Sequence, residues 1–322
     1  MKVGLCIKGY SRILNILKDV LPEDEIFDCD RSEVVDAAKV AEVLIPTMAP
    51  IPEAALQSPK LKLVQQYGVG LDCVDIPVAT QNGVLVANVP SVGTGNAESV
   101  AELAIAHMLM LSRHIPLAFE RFGEKRIGMP LGQCLWKSTV AILGYGGIGE
   151  EIARRLEGFG ARVVAISRNG PRGERPRDSS IHLDDHVGAD QTESAVADAD
   201  YVVVAAPAST ENIGLVDESI FSSMKKGVFV VNIARGPVID YTALRNALKE
   251  GRVAGAGLDV FWQEPFDPNA PIMEENIIPT AHIGGGTARS LRGIGEAVGA
   301  NIERLKRGEI PTSCVNPEVG IS

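Results

Sequence analysis

The sequence predicts an α/β protein built from two doubly wound parallel-sheet (Rossmann-like) domains, the outer one discontinuous. Two series of short apolar runs recur at α/β spacing. A glycine-rich fingerprint opens the second series, and two long helical patterns separate the series from each other. The length of 322 residues exceeds what one ordinary core organises, so two domains are expected.

The first series comprises residues 3–7, 43–45, 63–65 and 85–87, with helix-like stretches at 11–20 and 32–39 between them. Such alternation is the signature of a small doubly wound unit. The second comprises residues 140–143, 163–166, 202–205, 228–233 and 254–258. These runs are almost continuously apolar, as expected of parallel strands covered on both faces. Asn96 can cap a helix carrying Val100, Leu103, Ala104, His107 and Leu111. Leu291, Ile294, Val298, Ile302 and Leu305 recur at helical spacing, and Gly308 stands where a C-terminal glycine belongs. Residues 1–95 and 287–322 are therefore assigned to a discontinuous substrate domain, and residues 96–286 to an inserted dinucleotide-binding domain. The two long helices are the expected hinge, and the cleft between the domains is the default ligand site.

Bulk composition narrows the function. Apolar residues make up 45% of the chain, a globular value. No segment reaches the ~18 unbroken apolar residues of a membrane helix. The N-terminus reads as a first buried strand rather than a signal peptide. A net charge of −10 argues against nucleic-acid binding, which needs basic surface. Cys6, Cys29, Cys73, Cys134 and Cys314 are odd in number and lack metal-ligand spacing. They suit buried thiols in a reducing, cytoplasmic compartment, with no metal site.

The run at 140–143 leads directly into Gly144-Tyr145-Gly146-Gly147-Ile148-Gly149, and Ile152, Ala153 and Leu156 follow at helical spacing. Strand, glycines and helix in that order form a dinucleotide cradle. The glycines permit a tight turn, close approach to pyrophosphate and close helix–strand packing. The helix N-terminus supplies N–H groups to the phosphates. The alternative is a glycine-rich turn of ordinary α/β type. Where an NAD site usually places an acid after the second strand, this chain has Ser167-Arg168, followed by Arg172, Arg175 and Arg177. A hydroxyl beside guanidinium groups accepts a 2′-phosphate that a carboxylate would repel. NADP(H) is the expected cofactor, with NAD(H) the alternative if the loop is simply solvated.

Arg235 follows the buried run at 228–233, at a strand end where ligands of open α/β sheets bind. It can fork onto a substrate carboxylate and polarise the adjacent carbonyl. Of five histidines, His107 and His114 lie on or beside a long apolar helix, and His182 and His186 lie in a polar acidic stretch that suggests solvation. Only His282 combines a strand end with flanking glycines, and imidazole is a natural proton donor near neutral pH. Glu264 is its expected partner, because a carboxylate beside an imidazole favours the imidazolium. Reduction should then fail as rising pH removes that proton. Asp259 is a candidate acceptor for the nicotinamide amide. Residues 48–51 and 69–71 are candidate pocket walls, and Trp262 is assigned to the core.

Several motifs together resemble the D-isomer-specific 2-hydroxyacid dehydrogenase family. They are Tyr67-Gly68-Val69-Gly70-Leu71-Asp72, Val100-Ala101-Glu102-Leu103, the Gly144–Gly149 fingerprint, Met224-Lys225-Lys226-Gly227 through Arg235-Gly236, Leu258-Asp259-Val260 with Glu264-Pro265, and His282-Ile283-Gly284. The resemblance implies that Arg235 binds a 2-oxo acid and that Glu264 and His282 form the acid–base pair. It implies that Val69 and Gly70 offer N–H groups to the substrate carboxylate. Gly144, Gly146, Gly147, Ile148, Gly149, Ser167, Arg168, Ala206, Pro207, Ile233, Ala234, Asp259 and Gly284 would then contact the cofactor. It also implies a homodimer through the dinucleotide-binding domain. Ser167-Arg168 looks like the NADPH-using glyoxylate/hydroxypyruvate reductases of the family. Gly147 stands where Arg is frequent, and Ala281 where Pro is common.

The expected function is hydride transfer between NAD(P)H and a small 2-oxo or 2-hydroxy acid, with glyoxylate or hydroxypyruvate favoured. One rival is a dinucleotide-sensing, corepressor-like binding protein, and turnover of 2-oxo acids separates the two. A phosphite-type dehydrogenase is a second rival, because phosphite too needs a cation and a base. A formate-type enzyme would place an amide beside the histidine, where this chain has Ala281.

Overall fold

The apolar runs become parallel strands. A computed structural model describes residues 1–172 and 180–320. The chain divides into two compact units, Met1–Asn96 with Thr287–Ser322, and Ala97–Gly286. The first unit carries β1 (Lys2–Leu5), β2 (Glu25–Asp28), β3 (Val43–Ile45), β4 (Leu63–Gln65) and β5 (Leu85–Ala87). Their order is β2-β1-β3-β4-β5, with every neighbouring pair parallel.

Side-chain alternation sends the two faces of this sheet to different cores. Val3, Leu5, Val43, Leu63 and Leu85 meet Ile13 and Leu17 of the Ser11–Val20 helix and Leu291, Ile294, Val298 and Ile302 of the Ala288–Lys306 helix. Leu44, Val64 and Val86 meet Ala37, Ala38, Leu56 and Ala79 on the other face. The two long helices approach closely because a Cβ on Gly295 would lie 2.3 Å from the Ile16 side chain. Thr287 caps the second of them by accepting from Ser290 N at 3.2 Å. Gly308, at φ +72°, follows its C-terminus.

The second unit carries β6 (Thr139–Leu143), β7 (Arg162–Ser167), β8 (Asp185–Gly188), β9 (Tyr201–Val204), β10 (Val228–Asn232), β11 (Val253–Leu258) and β12 (Ile277–Pro279). Their order is β12-β11-β10-β9-β6-β7-β8, again wholly parallel. The chain therefore reverses its direction of winding between β6 and β9, which places a ligand crevice at the C-terminal ends of those strands. The Asn96–Ser112 helix covers one face, packing Val100, Ala104, Met108 and Leu111 on Val140, Ile142, Val203 and Val231.

Two strands carry no strong apolar signal, and both lie at sheet edges: β2 and β8. The stretch expected as one helix at 32–39 is instead a 3₁₀ turn, Arg31–Glu33, followed by a short helix, Val34–Ala38. Asp30 and Glu33 form a reciprocal capping box at its start. The cysteines are not uniformly buried as expected, since Cys134 is exposed on a loop. Among the described residues, no helix is long and apolar enough to cross a membrane.

Candidate active site

The fingerprint glycines are demanded by space. Gly144 sits at φ +103°, and a Cβ there would lie 2.3 Å from Ala206 N. A Cβ on Gly149 would lie 2.5 Å from Gly144 O. The turn after β6 is thereby pressed against the Ala205–Ala206 backbone after β9, at the winding reversal. Gly146 is the N-cap of the Gly147–Glu157 helix and makes no side-chain cap. Its leading N–H groups form an anion-binding edge. A cradle that a Cβ would fill, ending on an uncapped helix, fits the pyrophosphate of a dinucleotide. Ala206 and Pro207 follow β9 directly, and Ile233 and Ala234, both buried, follow β10.

At the end of β7, Ser167 Oγ lies 2.9 Å from His186 Nε2 and 3.3 Å from Gly170 O. Tyr145 of the fingerprint meets the same imidazole edge-on at 5.4 Å between ring centres. His186, expected to be solvated, is thus half-buried at this corner. No sequence pattern announces the contact, because it joins the last residue of β7 to a residue within the paired edge strand β8. Arg168 donates to Glu211 Oε2 at 2.9 Å, with both side chains largely in solvent. Arg175, Arg177 and the Arg172 side chain lie outside the described residues.

The residues expected to react sit at the opposite half of the same sheet edge. β10 ends at Asn232, whose side chain donates to Arg235 O at 3.0 Å and accepts from Ala234 N at 3.0 Å. These bonds fix the turn that presents Arg235. Its Nη1 donates to Ala234 O at 2.8 Å. Gly236 follows, and a Cβ there would lie 2.0 Å from the Phe261 carbonyl carbon. Only glycine lets this turn pass the 261–264 segment that carries Glu264.

Glu264 Oε1 accepts from Phe261 N at 3.1 Å, and Oε2 lies 2.7 Å from His282 Nδ1. Burial pushes the Glu264 carboxyl up. The His282 hydrogen bond and charge, the Phe261 N–H and the Arg235 charge outweigh it and hold the group below its ordinary range. The cation, the carboxylate and the imidazole are therefore brought together, although 47 residues separate Arg235 from His282 in number.

His282 adopts φ +53°, a left-handed conformation unusual for a residue with a side chain. Asp259 holds it there. The Asp259 carbonyl accepts from His282 N at 2.8 Å. Its carboxylate accepts from Thr280 Oγ1 at 2.6 Å, Ile283 N at 2.8 Å and Gly284 N at 2.8 Å. Oδ2 takes one of these donors and Oδ1 two. Sequence reading missed Thr280, whose role shows only through its hydrogen bond. Trp262 packs edge-on against Tyr241, and its indole N–H donates to Ile239 O at 2.6 Å.

In the first unit, Val69 and Gly70 lie on the loop after β4. Asn88 Nδ2 donates to Val69 O at 2.8 Å, and Gln66 Nε2 donates to Gly70 O at 2.6 Å and Thr47 O at 2.9 Å. Of the other suggested pocket residues, Met48 is exposed and Ile51 is buried.

Residues 105–284 match the family model described as D-isomer specific 2-hydroxyacid dehydrogenase, NAD binding domain. A glyoxylate reductase of Pyrococcus horikoshii is 38% identical over 271 residues, covering 81% of this chain and 78% of the relative. The crystal structure of an NADPH-dependent glyoxylate/hydroxypyruvate reductase from Sinorhizobium meliloti, in complex with NADP and malonate, aligns with a TM-score of 0.82 at 26% identity, over 100% of this chain and 98% of that one. D-lactate dehydrogenase from Aquifex aeolicus, complexed with NAD and lactic acid, aligns with a TM-score of 0.84 at 25% identity, over 98% of this chain and 99% of that one. With its cradle, its paired histidine and glutamate, and these relatives, the chain belongs to the D-isomer-specific 2-hydroxyacid dehydrogenase family and is a nicotinamide-dependent oxidoreductase acting on a CH–OH group.

Proposed function

We propose that this enzyme works as a reductase of a small 2-oxo acid of the glyoxylate or hydroxypyruvate type, with NADPH preferred over NADH. The observation that carries the reading is the 2.7 Å contact between His282 Nδ1 and Glu264 Oε2, set beside Arg235 at the C-terminal edge of the sheet. The bound nicotinamide supplies hydride to C2 of the substrate. Arg235 binds the carboxylate and polarises the carbonyl oxygen. Glu264 occupies Nδ1 of His282 and so directs the Nε2 proton toward that oxygen. Val69 and Gly70 give backbone N–H groups to the substrate carboxylate. Asp259, with a lone pair left on Oδ2, receives the carboxamide N–H of the nicotinamide.

Ser167 and Arg168 support the choice of NADPH. β7 ends in Ser167, where an NAD site usually has a carboxylate to bind the ribose 2′-hydroxyl and repel a 2′-phosphate. Arg168 is paired with Glu211, but a solvent-exposed pair is worth only ~0–1 kcal/mol. A dianionic phosphate competes for that guanidinium with ease. We also infer a homodimer formed through the dinucleotide-binding unit.

A steady-state panel of glyoxylate, hydroxypyruvate and pyruvate against NADPH and NADH tests the reading. Turnover of glyoxylate or hydroxypyruvate, with higher kcat/KM for NADPH, is expected. A clear preference for NADH would end the cofactor assignment, and no turnover of any 2-oxo acid would end the functional one. S167D should then invert the preference by restoring the acid at the 2′ position.

A further inference from the structure

His107 is a fully buried titratable residue that takes no part in the chemistry described above. It projects from the Asn96–Ser112 helix, and its Nε2 lies 2.9 Å from Thr280 Oγ1. The Thr280 hydroxyl has a single proton. A carboxylate can only accept, so that proton points at Asp259 Oδ1, 2.6 Å away. His107 must therefore donate from Nε2. Its Nδ1 is buried without a hydrogen-bond partner among the described residues. It faces Gly257 of β11, where a Cβ would lie 2.3 Å from it. A proton on Nδ1 would have no acceptor there. Burial also pushes the imidazole below the ordinary histidine value, against the opposing pull of the Asp259 charge. Both facts fix one species: neutral imidazole, protonated on Nε2.

Packing alone does not account for that choice. A buried acceptor without a donor is destabilising, and a leucine would fill similar space without stranding a nitrogen. What the imidazole adds is one donor, aimed at Thr280. Downstream of that donor lies the whole active-site turn. Thr280 and the amides of Ile283 and Gly284 converge on the Asp259 carboxylate, and the Asp259 carbonyl receives His282 N.

We propose that His107 is a positioning residue: it locks the Thr280 hydroxyl onto Asp259 and thereby holds His282 in its left-handed backbone conformation with the ring on Glu264. The proposal rests on the reading that His282 and Asp259 face the reacting atoms. His107 itself touches neither substrate nor cofactor. Glu264 is the carboxylate paired with the His282 ring, and His107 acts on the Asp259 carboxylate through the Thr280 hydroxyl.

The test combines H107L, H107Q, T280V and the H107L/T280V double variant in the full-length enzyme. Each is assayed for reductive kcat and substrate KM, and for NADPH affinity by cofactor fluorescence. A misplaced catalytic group is costly even when displaced slightly, so H107L should lower kcat about tenfold with little change in substrate KM. H107Q, which carries an N–H donor at nearly the same reach, should recover most of the rate. In the T280V background the H107L change should have no further effect. A variant H107L with a lower melting temperature but unaltered kcat would reduce His107 to packing and overturn the proposal. ¹⁵N-histidine NMR of the unmodified enzyme reads the tautomer without any variant, and a protonated Nδ1 on His107 would also overturn it. If the unmodified enzyme turns over no 2-oxo acid, the functional reading fails instead.

Discussion

Two titratable side chains, Glu264 and His107, determine how this enzyme should respond to pH, and they do so from opposite chemistries. The Glu264 carboxyl is held below its ordinary range by His282, Phe261 N and Arg235 in spite of burial. A carboxyl with a depressed folded-state value contributes fully above its unfolded value and loses that contribution only as pH falls through the folded one. The pair with His282 should thus survive into mildly acidic solution, and reductive kcat should not show an acid limb in the ordinary glutamate range. E264Q keeps an acceptor but no charge, and its kcat should drop by about 10²-fold. R235K replaces a planar fork by a point charge and should lose about 10²-fold in kcat/KM. Steady-state pH profiles of the three proteins check all of these. His107 also has a depressed value, but its charged form is the protonated one. The unfolded chain then binds the extra proton first, so the stability His107 contributes is present above the ordinary histidine value and is lost as pH falls. H107Q removes that dependence. The gap in melting temperature between wild type and H107Q should narrow from pH 7.5 to pH 5.5 by calorimetry, and a constant gap would contradict the neutral, buried assignment.

At the scale of elements, the candidate active site depends on two turns passing each other at close range. The turn after β10 carries Arg235, and the 261–264 segment carries Glu264. Gly236 lets them pass, since a Cβ there would lie 2.2 Å from Phe261 O. G236A should cost about 1–3 kcal/mol in stability, as overpacking does. It should also depress kcat, because whichever turn yields carries a reacting group with it. Chemical denaturation and turnover measured on one preparation check both effects. The sequence announces these turns only in part. Central strands such as β6 and β10 are fully buried, so their apolar runs stand out. β2 and β8 are edge strands with the sequences EIFD and DHVG, where charge protects an open edge and masks the pattern. Arg235, Glu264 and His282 could be read because each follows an apolar strand or the loop after one. Thr280, Ser167–His186 and His107–Thr280 could not be read as partnerships, because such contacts depend on sheet register and helix rotation. His107 looked like one more core position of an apolar helix, and only its neighbours distinguish it from a leucine.

For the molecule as a whole, the chief unexplained feature is apolar surface on the dinucleotide-binding unit. Phe122 is 84% exposed, Leu131 87% and Ile127 98%, and Phe119, Met129 and Trp136 are also open to solvent. They lie on the Ile115–Gly123 helix and the loop that follows it. Arg113, Ile115, Ala118, Met129 and Leu131 shape a concavity beside them. Scattered apolar residues on a surface need no explanation, but a cluster of six in 18 residues does. An apolar arm that also walls a concavity can cover the same patch on a second copy, which is what a two-fold dimer requires. A stable interface of this kind removes about 1,600 Å² from water. The inferred homodimer is therefore expected to use this arm, and light scattering after gel filtration should give twice the 34.2 kDa chain mass. The double variant F122E/L131E places charges at the centre of the contact and should yield monomers at micromolar concentration. Because Arg235, Glu264, Asp259 and His282 belong to other elements, the monomer should keep its cofactor cradle and bind NADPH. A dimer undisturbed by F122E/L131E would place the interface elsewhere, and a wild-type monomer would leave the arm to a different partner.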